Sequence, residues 1–319
     1  MKIVINDKDV EILNGESLLD AAERIGCKIP SLCYYEGKKH KSSCMVCAVK
    51  NQTNGQIIPS CSTYPEEGMR IETESEEILT IRKLSLELLL SDHRADCEAP
   101  CALVCPNGLE IEQLLSYYDA NQLEKAFALI AETFSLPEIA CDTCKAPCEK
   151  ACRRGSIDNA VSIRDIIKEV AEMKHEMSAD KEITKQKTDK NSFQSRVGRF
   201  SSSEKERLIA TVTTPSRCLH CACAGRSDCK LRVYATTEGI KRSRYDVTSA
   251  MPALHRQQIN ENMVFEQAKC IRCGLCVYYS ENGFTFKDRG FGMSIVLPEE
   301  NRQNIKEELA TLCPTGAIH

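Results

Sequence analysis

The chain begins with short runs in which apolar and polar positions alternate, separated by one stretch with helical spacing. The runs MKIVIND and KDVEIL alternate well enough to predict a β-hairpin that turns at residues 6–8. The stretch SLLDAAERIG predicts a helix, with Ser17 as its N-cap, Asp20 three residues further on and Gly26 as its stop. MRIETES supplies another short strand. This pattern predicts a small mixed α/β domain at the start of the chain.

Further along the chain, the apolar positions recur with helical spacing. EEILTIRKLSLELLL predicts an apolar helix, and LEIEQLLSYY and NQLEKAFALIAETF predict a helical hairpin whose second helix has Asn121 and Glu124 in capping positions. EENRQNIKEELATL predicts a further helix near the end of the chain. Residues 179–206 are polar, rich in serine and poor in large apolar side chains, which indicates a linker or an arm along the surface.

Composition narrows the possible functions of the 319-residue chain. Its 42 Lys and Arg against 46 Asp and Glu give a net charge of −4, without the basic stretches that follow a phosphate backbone, so we expect no nucleic-acid partner. MKIVINDKDV lacks a signal-peptide pattern and no apolar run approaches membrane-spanning length, so we expect a cytoplasmic protein with no membrane span. Because disulfides are rare in a reducing compartment, the 20 cysteines should be metal ligands or redox groups.

The cysteines are clustered along the chain. Tight groups alternate with long cysteine-free stretches such as 153–217 and 230–269. Metal-binding loops on separate modules would leave this pattern, whereas cysteines scattered through a core would not. Cys27 belongs to no group, and we expect it to be a packed thiol.

The first group has the spacing C-x10-C-x2-C-x13-C and consists of Cys33, Cys44, Cys47 and Cys61. A loop that carries three thiolates, closed by a fourth from further along, binds the [2Fe–2S] cluster of plant-type ferredoxins, whose first spacer is shorter. With its longer spacer, the group resembles the N-terminal ferredoxin-like domain of the large iron–sulfur subunit of respiratory complex I and of related hydrogenase subunits. That resemblance implies a β-grasp domain with one [2Fe–2S] cluster. A zinc site is the alternative, since C-x2-C pairs are common in zinc sites.

Two further cysteine runs bracket the predicted helical hairpin. The first run is His93-x3-Cys97-x3-Cys101-x3-Cys105-Pro106, and the second is Cys141-x2-Cys144-x3-Cys148-x3-Cys152. Over residues 92–175, including the SIRDI-like helix after the last cysteine, this arrangement resembles the N-terminal iron–sulfur domain of the glutamate synthase small subunit and of dihydropyrimidine dehydrogenase. In that family, two [4Fe–4S] clusters are shared crosswise between the runs. The resemblance implies one cluster on Cys105, Cys141, Cys144 and Cys148, and another on Cys97, Cys101 and Cys152.

His93 is the candidate for the fourth ligand of the cluster on Cys97, Cys101 and Cys152. The family has a C-x2-C pair where this chain has His93-x3-Cys97, and the complex I subunit places a histidine ligand just after the equivalent helix, a stretch that LELLLSDHRADC resembles. A neutral imidazole in place of a thiolate makes a cluster less negative and raises its potential, as in Rieske centres. Alternatively, His93 hydrogen-bonds a cluster sulfur or acts as a cation at the C-terminal end of the helix.

A fourth group lies within PSRCLHCACAGRSDCKLRVYATTEGIKRSRY. Its four thiols are spaced C-x2-C-x-C-x5-C, are sufficient for one [4Fe–4S] cluster, and are Cys218, Cys221, Cys223 and Cys229. From Cys229 onward, the stretch is similar to the one that follows the histidine-plus-three-cysteine cluster of the complex I subunit, whereas the earlier spacing departs from that family. A structural zinc site is the alternative, and His220 could displace one cysteine from the ligand set.

The last group combines a cysteine triplet with a remote cysteine. Cys270-x2-Cys273-x2-Cys276 would hold three corners of a cubane, and Cys313, followed by proline, would supply the fourth as in bacterial ferredoxins, which gives another [4Fe–4S] cluster. The gap before Cys313 and the ending CPTGAI resemble the third cluster domain of the complex I subunit. A zinc ribbon would require two C-x2-C pairs instead. With this group, all cysteines except Cys27 have a predicted role.

The fold class that follows is an α+β multidomain iron–sulfur protein. Its predicted parts are an N-terminal β-grasp [2Fe–2S] ferredoxin-like domain over residues 1–78, a helical domain with two [4Fe–4S] clusters over 79–178, a polar linker over 179–214, a [4Fe–4S] module over 215–258 and a C-terminal [4Fe–4S] ferredoxin-like module over 259–319. In total, the chain is expected to hold one [2Fe–2S] cluster and four [4Fe–4S] clusters.

A row of clusters that each carry one electron indicates a wire between redox sites. The sequence has no G-x-G-x-x-G after a strand, no P-loop and no catalytic Cys–His or Ser–His arrangement, so we predict no catalytic residue. The leading hypothesis is an electron-transfer subunit of a soluble multi-subunit NAD(P)H-linked oxidoreductase, joining a flavin subunit to a second redox site. The complex I resemblance implies an FMN/NAD(H)-type partner, and the glutamate synthase resemblance implies a FAD/NADP(H)-type flavoprotein.

The sequence leaves three alternatives open. One is electron delivery to a separate hydrogenase or formate dehydrogenase subunit, which predicts reduction by that enzyme's substrate without dependence on NADPH. Another, from a different class, is a zinc-stabilised scaffold, which would be colourless and contain zinc. The third is an independent ferredoxin-like carrier, which would elute as a monomer without flavoproteins.

Overall fold

The alternating N-terminal runs fold into a mixed five-stranded sheet with one helix packed on it. The structure is a computed structural model that describes residues 1–37, 40–93, 95–173, 192–194, 200, 202–223, 228–242, 244–245 and 256–319. Its first elements are β1 (Lys2–Ile5), β2 (Lys8–Glu11), helix α1 (Leu18–Arg24), β3 (Ala48–Asn51), β4 (Gln56–Pro59) and β5 (Arg70–Glu72). The strand order is β2-β1-β5-β3-β4, with β1 and β5 parallel and the other neighbours antiparallel. A helix on such a sheet agrees with the predicted β-grasp domain.

Local sequence signals determine the turn and the helix ends of this domain. Asn6 and Asp7 have positive φ angles of 46° and 63°, as the two central residues of a tight hairpin turn with matching twist require. Ser17 and Asp20 form a capping box at the start of α1, and Gly26, with φ 79°, follows its last turn. The apolar face of α1 packs with inward-facing side chains of the sheet, in a core that includes Leu18, Ala21, Ala22, Ile3, Ile5, Val49 and Ile71.

The apolar helix predicted after the sheet is α2 (Glu76–Asp92). It packs against β3, where the buried Arg82 guanidinium donates from Nε and Nη2 to the Ala48 carbonyl oxygen at 3.0 and 2.7 Å. Because these two bonds give the buried guanidinium a backbone acceptor on the strand, Arg82 ties the helix to the sheet. The helix ends at His93, where the backbone becomes extended.

The described residues divide into two compact units, and those from 95 to 223 form the second unit. Its helices are α3 (Pro100–Leu103), α4 (Ile111–Asp119), α5 (Leu123–Thr133), α6 (Pro147–Lys150), α7 (Ile163–Glu172) and α8 (Ser202–Thr211). Helices α4 and α5 form the predicted hairpin, and α7 packs on α5. Their apolar faces meet in one core that includes Leu114, Leu115, Leu129, Ile130, Ile163 and Ile167.

Two details of the second unit differ from what the sequence predicts. Helix α5 has Gln122 as its N-cap without a side-chain capping bond, because Asn121 turns the chain with a φ of 54° and is one residue too early to cap. Within the predicted linker, residues 202–211 form α8, whose Leu208 is buried. Of the rest of that linker, residues 179–191, 195–199 and 201 lie outside the described residues.

The later residues complete the first unit, which contains the described residues of 1–93, 228–245 and 256–319. The elements of this part are α9 (Lys230–Thr237), β6 (Arg256–Gln258), β7 (Val264–Glu266), α10 (Leu275–Tyr279), β8 (Thr285–Lys287), β9 (Ser294–Val296) and α11 (Glu308–Leu312). Strand β6 pairs with β7, and β8 pairs with β9, both antiparallel. These strands and α11 surround a core that includes Phe265, Phe284, Ile295, Leu297 and Ile318.

Three further expectations can be compared with this architecture. The helix predicted from EENRQNIKEELATL is interrupted, because Ile305 is extended and buried between a 3-10 helix at Glu299–Asn304 and α11. The module predicted over 215–258 is divided, since residues 215–223 belong to the second unit and residues 228–242 to the first. In the part of the chain that is described, no helix is long and apolar enough to cross a membrane.

Candidate iron–sulfur cluster sites

The four cysteines of the first group converge beside the β3–β4 hairpin. Cys47 directly precedes β3 and Cys61 lies just after β4, so the hairpin brings these two residues together. The end of the hairpin is closed by Ser60, whose backbone N–H and hydroxyl both donate to the Cys47 carbonyl oxygen, at 3.1 and 2.8 Å. Cys33 and Cys44 come from the loop between α1 and β3, and their Sγ atoms lie 3.4 Å apart. All four cysteines are buried.

Hydrogen bonds among these thiols show that they face one another. Bonds with Cys44 and Cys61 lower the pKa of Cys33 to about 2, and a bond with Cys61 lowers the pKa of Cys47 to about 7, in both cases against the opposing effect of burial. The thiolate is the form of cysteine that binds metal. The same hydrogen bonds, together with burial, raise the pKa of Cys44 and of Cys61, so the four thiols interact directly and the structure brings the whole predicted set together.

The C-terminal group is assembled from one loop and the end of the chain. Cys270 ends a short 3-10 helix, Gly274 redirects the chain with a φ of 81°, and α10 then carries Cys276. Cys313 follows α11 and packs with Cys270 and Cys276 against the same apolar core. Burial raises the pKa of Cys273, and the neighbouring Cys313 and Cys270 sulfurs raise it further. These four predicted ligands are therefore neighbours in the structure.

The first and the last cysteine groups are neighbours within the first unit. Tyr35, two residues after Cys33, packs edge-on against Tyr279 of α10, with ring centroids 5.8 Å apart. The Lys41 ammonium lies 5.0 Å from the centroid of the Phe286 ring in β8. These contacts join the loop that carries the first group to the helix and hairpin around the last group.

The second unit contains a small cavity that is lined by Cys105, Cys141, Cys144 and Cys148. Arg164, near the start of α7, forms two hydrogen bonds with the second cysteine run beside this cavity. Its backbone N–H donates to Glu149 Oε1 at 2.9 Å, and its Nη1 donates to the Cys144 carbonyl oxygen at 3.0 Å. Burial raises the pKa of Cys141 and of Cys148 to about 11. The cavity collects the four cysteines that the glutamate synthase resemblance groups together.

A second small cavity in the same unit is lined by Cys101, Cys152, Cys218 and Cys221. This combination matches none of the predicted ligand sets. Two of those sets contribute two cysteines each. Cys101 and Cys152 come from the set that included His93 and Cys97, and Cys218 and Cys221 come from the set that included Cys223 and Cys229. The combination arises because the loop after α8 folds onto the helical domain. The spacing of cysteines along the chain cannot predict such a long-range contact.

His220, between the last two of these cysteines, is bound by carboxylates on both of its ring nitrogens. Nδ1 lies 2.9 Å from Glu112 Oε1, and Nε2 lies 3.0 Å from Asp119 Oδ2. Burial opposes a charge on this ring, but hydrogen bonds with Cys218 and Glu112 raise the pKa of His220 to about 10. These contacts oppose the alternative in which His220 displaces a cysteine, because an imidazolium held by two carboxylates offers no lone pair to a metal.

The remaining predicted ligands are distributed over both units. In the second unit, Cys97 and Cys223 lie on adjacent stretches, since the Cys223 N–H donates to the Cys97 carbonyl oxygen at 3.3 Å. In the first unit, His93 is buried at the end of α2, and Cys229 caps α9, where its Sγ accepts from the Arg232 N–H at 3.5 Å. Ligation by His93 stays a prediction.

Two buried arginines directly follow Cys152, and sequence reasoning gave them no role. Arg153 donates from Nε and Nη2 to the two carboxylate oxygens of Asp96, both at 2.7 Å. Arg154 forms the same two-pronged contact with Asp158, at 2.6 and 2.7 Å. Both arginines line the cavity that contains Cys152. Arginine is rarely buried without a partner. Two consecutive arginines directly after a cysteine run are therefore the sequence signal that could have identified Arg153 and Arg154 as structural residues of this site.

Three segments match family models of iron–sulfur domains. Residues 1–76 match a 2Fe-2S iron–sulfur cluster binding domain, and residues 91–179 match dihydropyrimidine dehydrogenase domain II with its 4Fe-4S cluster. Residues 263–319 match a 4Fe-4S single cluster domain. These matches confirm the predicted fold class, an α+β multidomain iron–sulfur protein with domains of both cluster types.

Several curated proteins are similar to part of the chain. A protein of the NADH-quinone oxidoreductase of Rhizobium meliloti is 32% identical over 112 residues, which is 35% of this chain. The HndD protein of the NADP-reducing hydrogenase of Solidesulfovibrio fructosivorans is 36% identical over 117 residues, also 35% of this chain. The gamma chain of the NAD-reducing hydrogenase HoxS of Cupriavidus necator is 28% identical over 123 residues, 37% of this chain. The matches span 12%, 19% and 51% of these three relatives, so the chain covers only a fraction of their length.

A solved structure is similar over the whole chain. It is the crystal structure of an NAD+-reducing [NiFe]-hydrogenase in the H2-reduced state, with a TM-score of 0.51 and 16% sequence identity. The similarity covers 100% of this chain and 86% of that chain. At this level of identity, the likeness shows a shared fold.

Proposed function

We propose that the chain is an electron-transfer subunit of a multi-subunit NAD(P)H-linked oxidoreductase, in which it passes single electrons between a flavin subunit and a second redox site. In this proposal it holds one [2Fe–2S] cluster and four [4Fe–4S] clusters. When bound, an iron–sulfur cluster supplies one-electron transfer at a potential set by its type, net charge, hydrogen bonds and burial.

The observation that carries the proposal is that the cysteine sites occur as neighbouring pairs within each unit. In the first unit, the first and last groups meet through an aromatic contact and a cation–π contact. In the second unit, Cys101 and Cys105 are four residues apart and line different cavities. Cys148 and Cys152 are also four residues apart and also line different cavities. Neighbouring one-electron centres suit a path for electrons, whereas a zinc-stabilised scaffold has no need of them.

The side chains at these sites suit iron–sulfur clusters. Each of the two cavities in the second unit offers four thiols, which is the ligand number of a [4Fe–4S] cluster. The models that match residues 91–179 and 263–319 are those of 4Fe-4S domains, which favours clusters over zinc ions in these parts of the chain.

We infer the flavin partner from the chemistry of the nicotinamide and from the relatives. The names of the relatives include NADH-quinone oxidoreductase and NADP-reducing hydrogenase. A nicotinamide transfers a hydride, which carries two electrons, and a cluster takes one electron at a time, so a flavin is needed between them. We propose an FMN/NAD(H)-type subunit as one partner and, from the match to the dihydropyrimidine dehydrogenase domain, a FAD/NADP(H)-type flavoprotein as another.

Electron delivery to a separate hydrogenase subunit is the second candidate function. It is favoured by two relatives and one similar structure whose names are those of hydrogenases. In this case H2 would reduce the clusters of the purified complex without any nicotinamide present.

Anaerobic purification of the chain together with its co-purifying subunits tests the proposal. Iron, acid-labile sulfide, zinc and flavin are quantified together, and one [2Fe–2S] plus four [4Fe–4S] clusters require about 18 iron atoms per chain. NADH or NADPH should bleach the cluster absorption, whereas bleaching by H2 alone would favour the second candidate. A colourless preparation with zinc and without sulfide would contradict both candidates.

A further inference from the structure

We propose that Cys101, Cys152, Cys218 and Cys221 together hold one [4Fe–4S] cluster of the second unit. This inference rests on the proposed function, because it assumes that the chain binds iron–sulfur clusters. It assigns to one cluster a ligand set that neither spacing nor resemblance indicates. In this set, the C-x2-C pair comes from a loop beyond the helical domain instead of from the run that opens the domain.

The four thiols reach one cavity from three separate stretches of the chain. Cys101 lies in α3, Cys152 begins the 3-10 turn after α6, and Cys218 and Cys221 lie in the loop after α8. Cys101 and Cys218 are part of the apolar core of the unit, and Cys152 and Cys221 pack against that core. All four therefore face the same interior space.

The residues just before Cys218 are anchored to the helical domain by two carboxylates. Ser216 donates from its backbone N–H and from its hydroxyl to the two oxygens of Asp119, both at 2.7 Å. Arg217 donates to Asp158 Oδ2 at 2.5 Å, and the same carboxylate is bound by a buried arginine of the domain. The Ser216 hydroxyl oxygen also accepts from the Cys218 N–H at 3.0 Å, which orients the backbone at the cysteine itself.

The stretch between the two loop cysteines is held by His220. Its ring bridges Glu112 and Asp119, which are both carried by α4, so the loop follows the face of that helix. Its backbone N–H donates to Cys218 Sγ at 3.3 Å, a contact of the kind that raises the potential of a cluster when the sulfur is a ligand. His220 is thus a positioning residue for Cys218 and Cys221.

The chain is fixed again directly after Cys221. Ala222 forms a parallel β-bridge with Asp96, whose carboxylate is held by Arg153 in a buried two-pronged contact. Arg153 is the residue next to Cys152. The bridge therefore connects the loop that carries Cys221 to the turn that carries Cys152.

The spacing of the loop pair is chemically suited to the role. Cys218-x2-Cys221 has the x2 spacing with which cysteine runs bind two corners of a cubane. Anchors on both sides of the pair hold it against Cys101 and Cys152. The donors that this set leaves unassigned are His93, Cys97, Cys223 and Cys229.

Serine substitutions in the full chain, purified anaerobically with its partners, test the ligand set. The readouts are iron, sulfide and zinc content and the EPR signals of the reduced protein. We expect C101S, C152S, C218S and C221S each to lose the same EPR signal and about four iron atoms, since one cubane contains four. C101S/C218S should lose no more iron than either single variant, because both residues serve one cluster. C27S is the matched control and should retain every signal.

Other outcomes would overturn the inference. If C101S/C218S loses about eight iron atoms, or if C218S loses the same signal as C229S and C101S the same signal as C97S, the thiols belong to different clusters and the ligand set is refuted. Loss of zinc with no change in any EPR signal would assign the cavity to zinc. In all these cases, iron and sulfide at the other sites would leave the proposed function standing.

Two independent pairs protect the test against a variant that fails to fold. Retention of the EPR signal assigned to Cys105, Cys141, Cys144 and Cys148, in the other cavity of the same unit, identifies a variant whose second unit is folded. C152S/C221S repeats the experiment with the two members that C101S/C218S leaves intact, and the same rule applies to its iron loss. If only one of the two double variants can be purified, its iron loss alone decides the ligand set.

Discussion

The two units of the molecule build their cysteine sites in different ways. In the first unit, each site takes three donors from one loop and a fourth from one further position, Cys61 in one case and Cys313 in the other. In the second unit, the cavity of Cys101 collects thiols from three stretches, of which the last is residues 218–221. A site on one loop depends on turn geometry, whereas a distributed site depends on whatever holds its stretches together.

Buried charge pairs hold the stretches of the second unit together. The Arg153 side chain is 9% exposed and that of its partner Asp96 is 2% exposed, so this pair joins two stretches in the interior. Arg154, whose side chain is 2% exposed, binds Asp158 four residues on, and the same carboxylate binds Arg217 of the loop before Cys218. Such pairs add little net stability compared with apolar residues, but they impose geometry, because breaking one leaves an uncompensated charge. The first unit instead uses backbone devices, such as Gly274 with its φ of 81° between two cysteines.

The largest expected effect distinguishes the two neighbouring cavities of the second unit. Cys101 and Cys105 are four residues apart, yet they line different cavities. C105S should therefore lose about four iron atoms and an EPR signal different from the one that C101S loses, and C101S/C105S should lose about eight iron atoms. Iron analysis and EPR of the anaerobically purified chain measure this. A double variant that loses only about four would show that the two residues serve one cluster.

The next effect tests whether charge pairs hold the distributed site together. Arg153→Ala removes a two-pronged contact from the buried Asp96 carboxylate, so we expect the free energy of unfolding to fall by about 3–5 kcal/mol. The cluster of the Cys152 cavity should also be lost first, because the bridge at Asp96 loosens. A lower urea midpoint by circular dichroism and selective loss of one EPR signal measure both effects.

A surface pair provides the control for this variant. Lys50 and Glu77 form an ion pair at 2.6 Å, with side chains 31% and 53% exposed. Lys50→Ala should change the urea midpoint little, because water screens such pairs. Equal shifts for Arg153→Ala and Lys50→Ala would refute the role given to buried charge.

Local signals explain why the first unit was predictable from the sequence. Alternation predicted the β1–β2 hairpin, and the Ser17 and Asp20 pattern predicted the start of α1. The spacing of the first cysteine group predicted four thiols that the structure does bring together, although alternation did not reveal the β3–β4 hairpin that positions Cys47 and Cys61. These signals act over a few residues, so they can be recognised without knowledge of the rest of the chain.

Long-range contacts explain why the second unit was only partly predictable. Four thiols within residues 218–229 favoured a self-contained cluster, whereas Cys218 faces Cys101 because Ser216 and His220 bind carboxylates of α4. The same limit applies to the helix predicted near the end of the chain, which is interrupted where Ile305 enters the core. In each case the position of the residue is determined by a contact with residues that are remote in sequence, and local spacing cannot predict such a contact.

A smaller effect tests the dependence of the first unit on backbone geometry. A Cβ atom on Gly274 would lie 2.7 Å from Phe286 Cζ, and the φ of 81° is unfavourable for any other residue. Gly274→Ala should therefore lower the free energy of unfolding by about 2–4 kcal/mol, from left-handed strain plus overpacking. The urea midpoint and the EPR signal of the C-terminal cluster measure the effect.

Gly290 separates strain from overpacking in this test. It also has positive φ, 59°, but a Cβ placed there meets no described heavy atom within 4 Å. Gly290→Ala should show the strain alone, about 1–2 kcal/mol, and should retain the C-terminal cluster. Equal losses for the two variants would mean that contact with Phe286 contributes nothing.

The smallest effect tests the capping box at the start of α1, which places Leu19 against Cys47 and Cys61. The Ser17 Oγ accepts from the Asp20 N–H at 3.2 Å, so Ser17→Ala removes a helix cap and should cost about 1 kcal/mol in thermal unfolding. Ser75→Ala is the matched control, because Ser75 occupies the N-cap of α2 without a side-chain capping bond. Since the cap lies outside the thiol loop, the [2Fe–2S] EPR signal should be unchanged in both variants. Loss of that signal in Ser17→Ala alone would show that the local site depends on its supporting helix as strictly as the distributed site depends on its charge pairs.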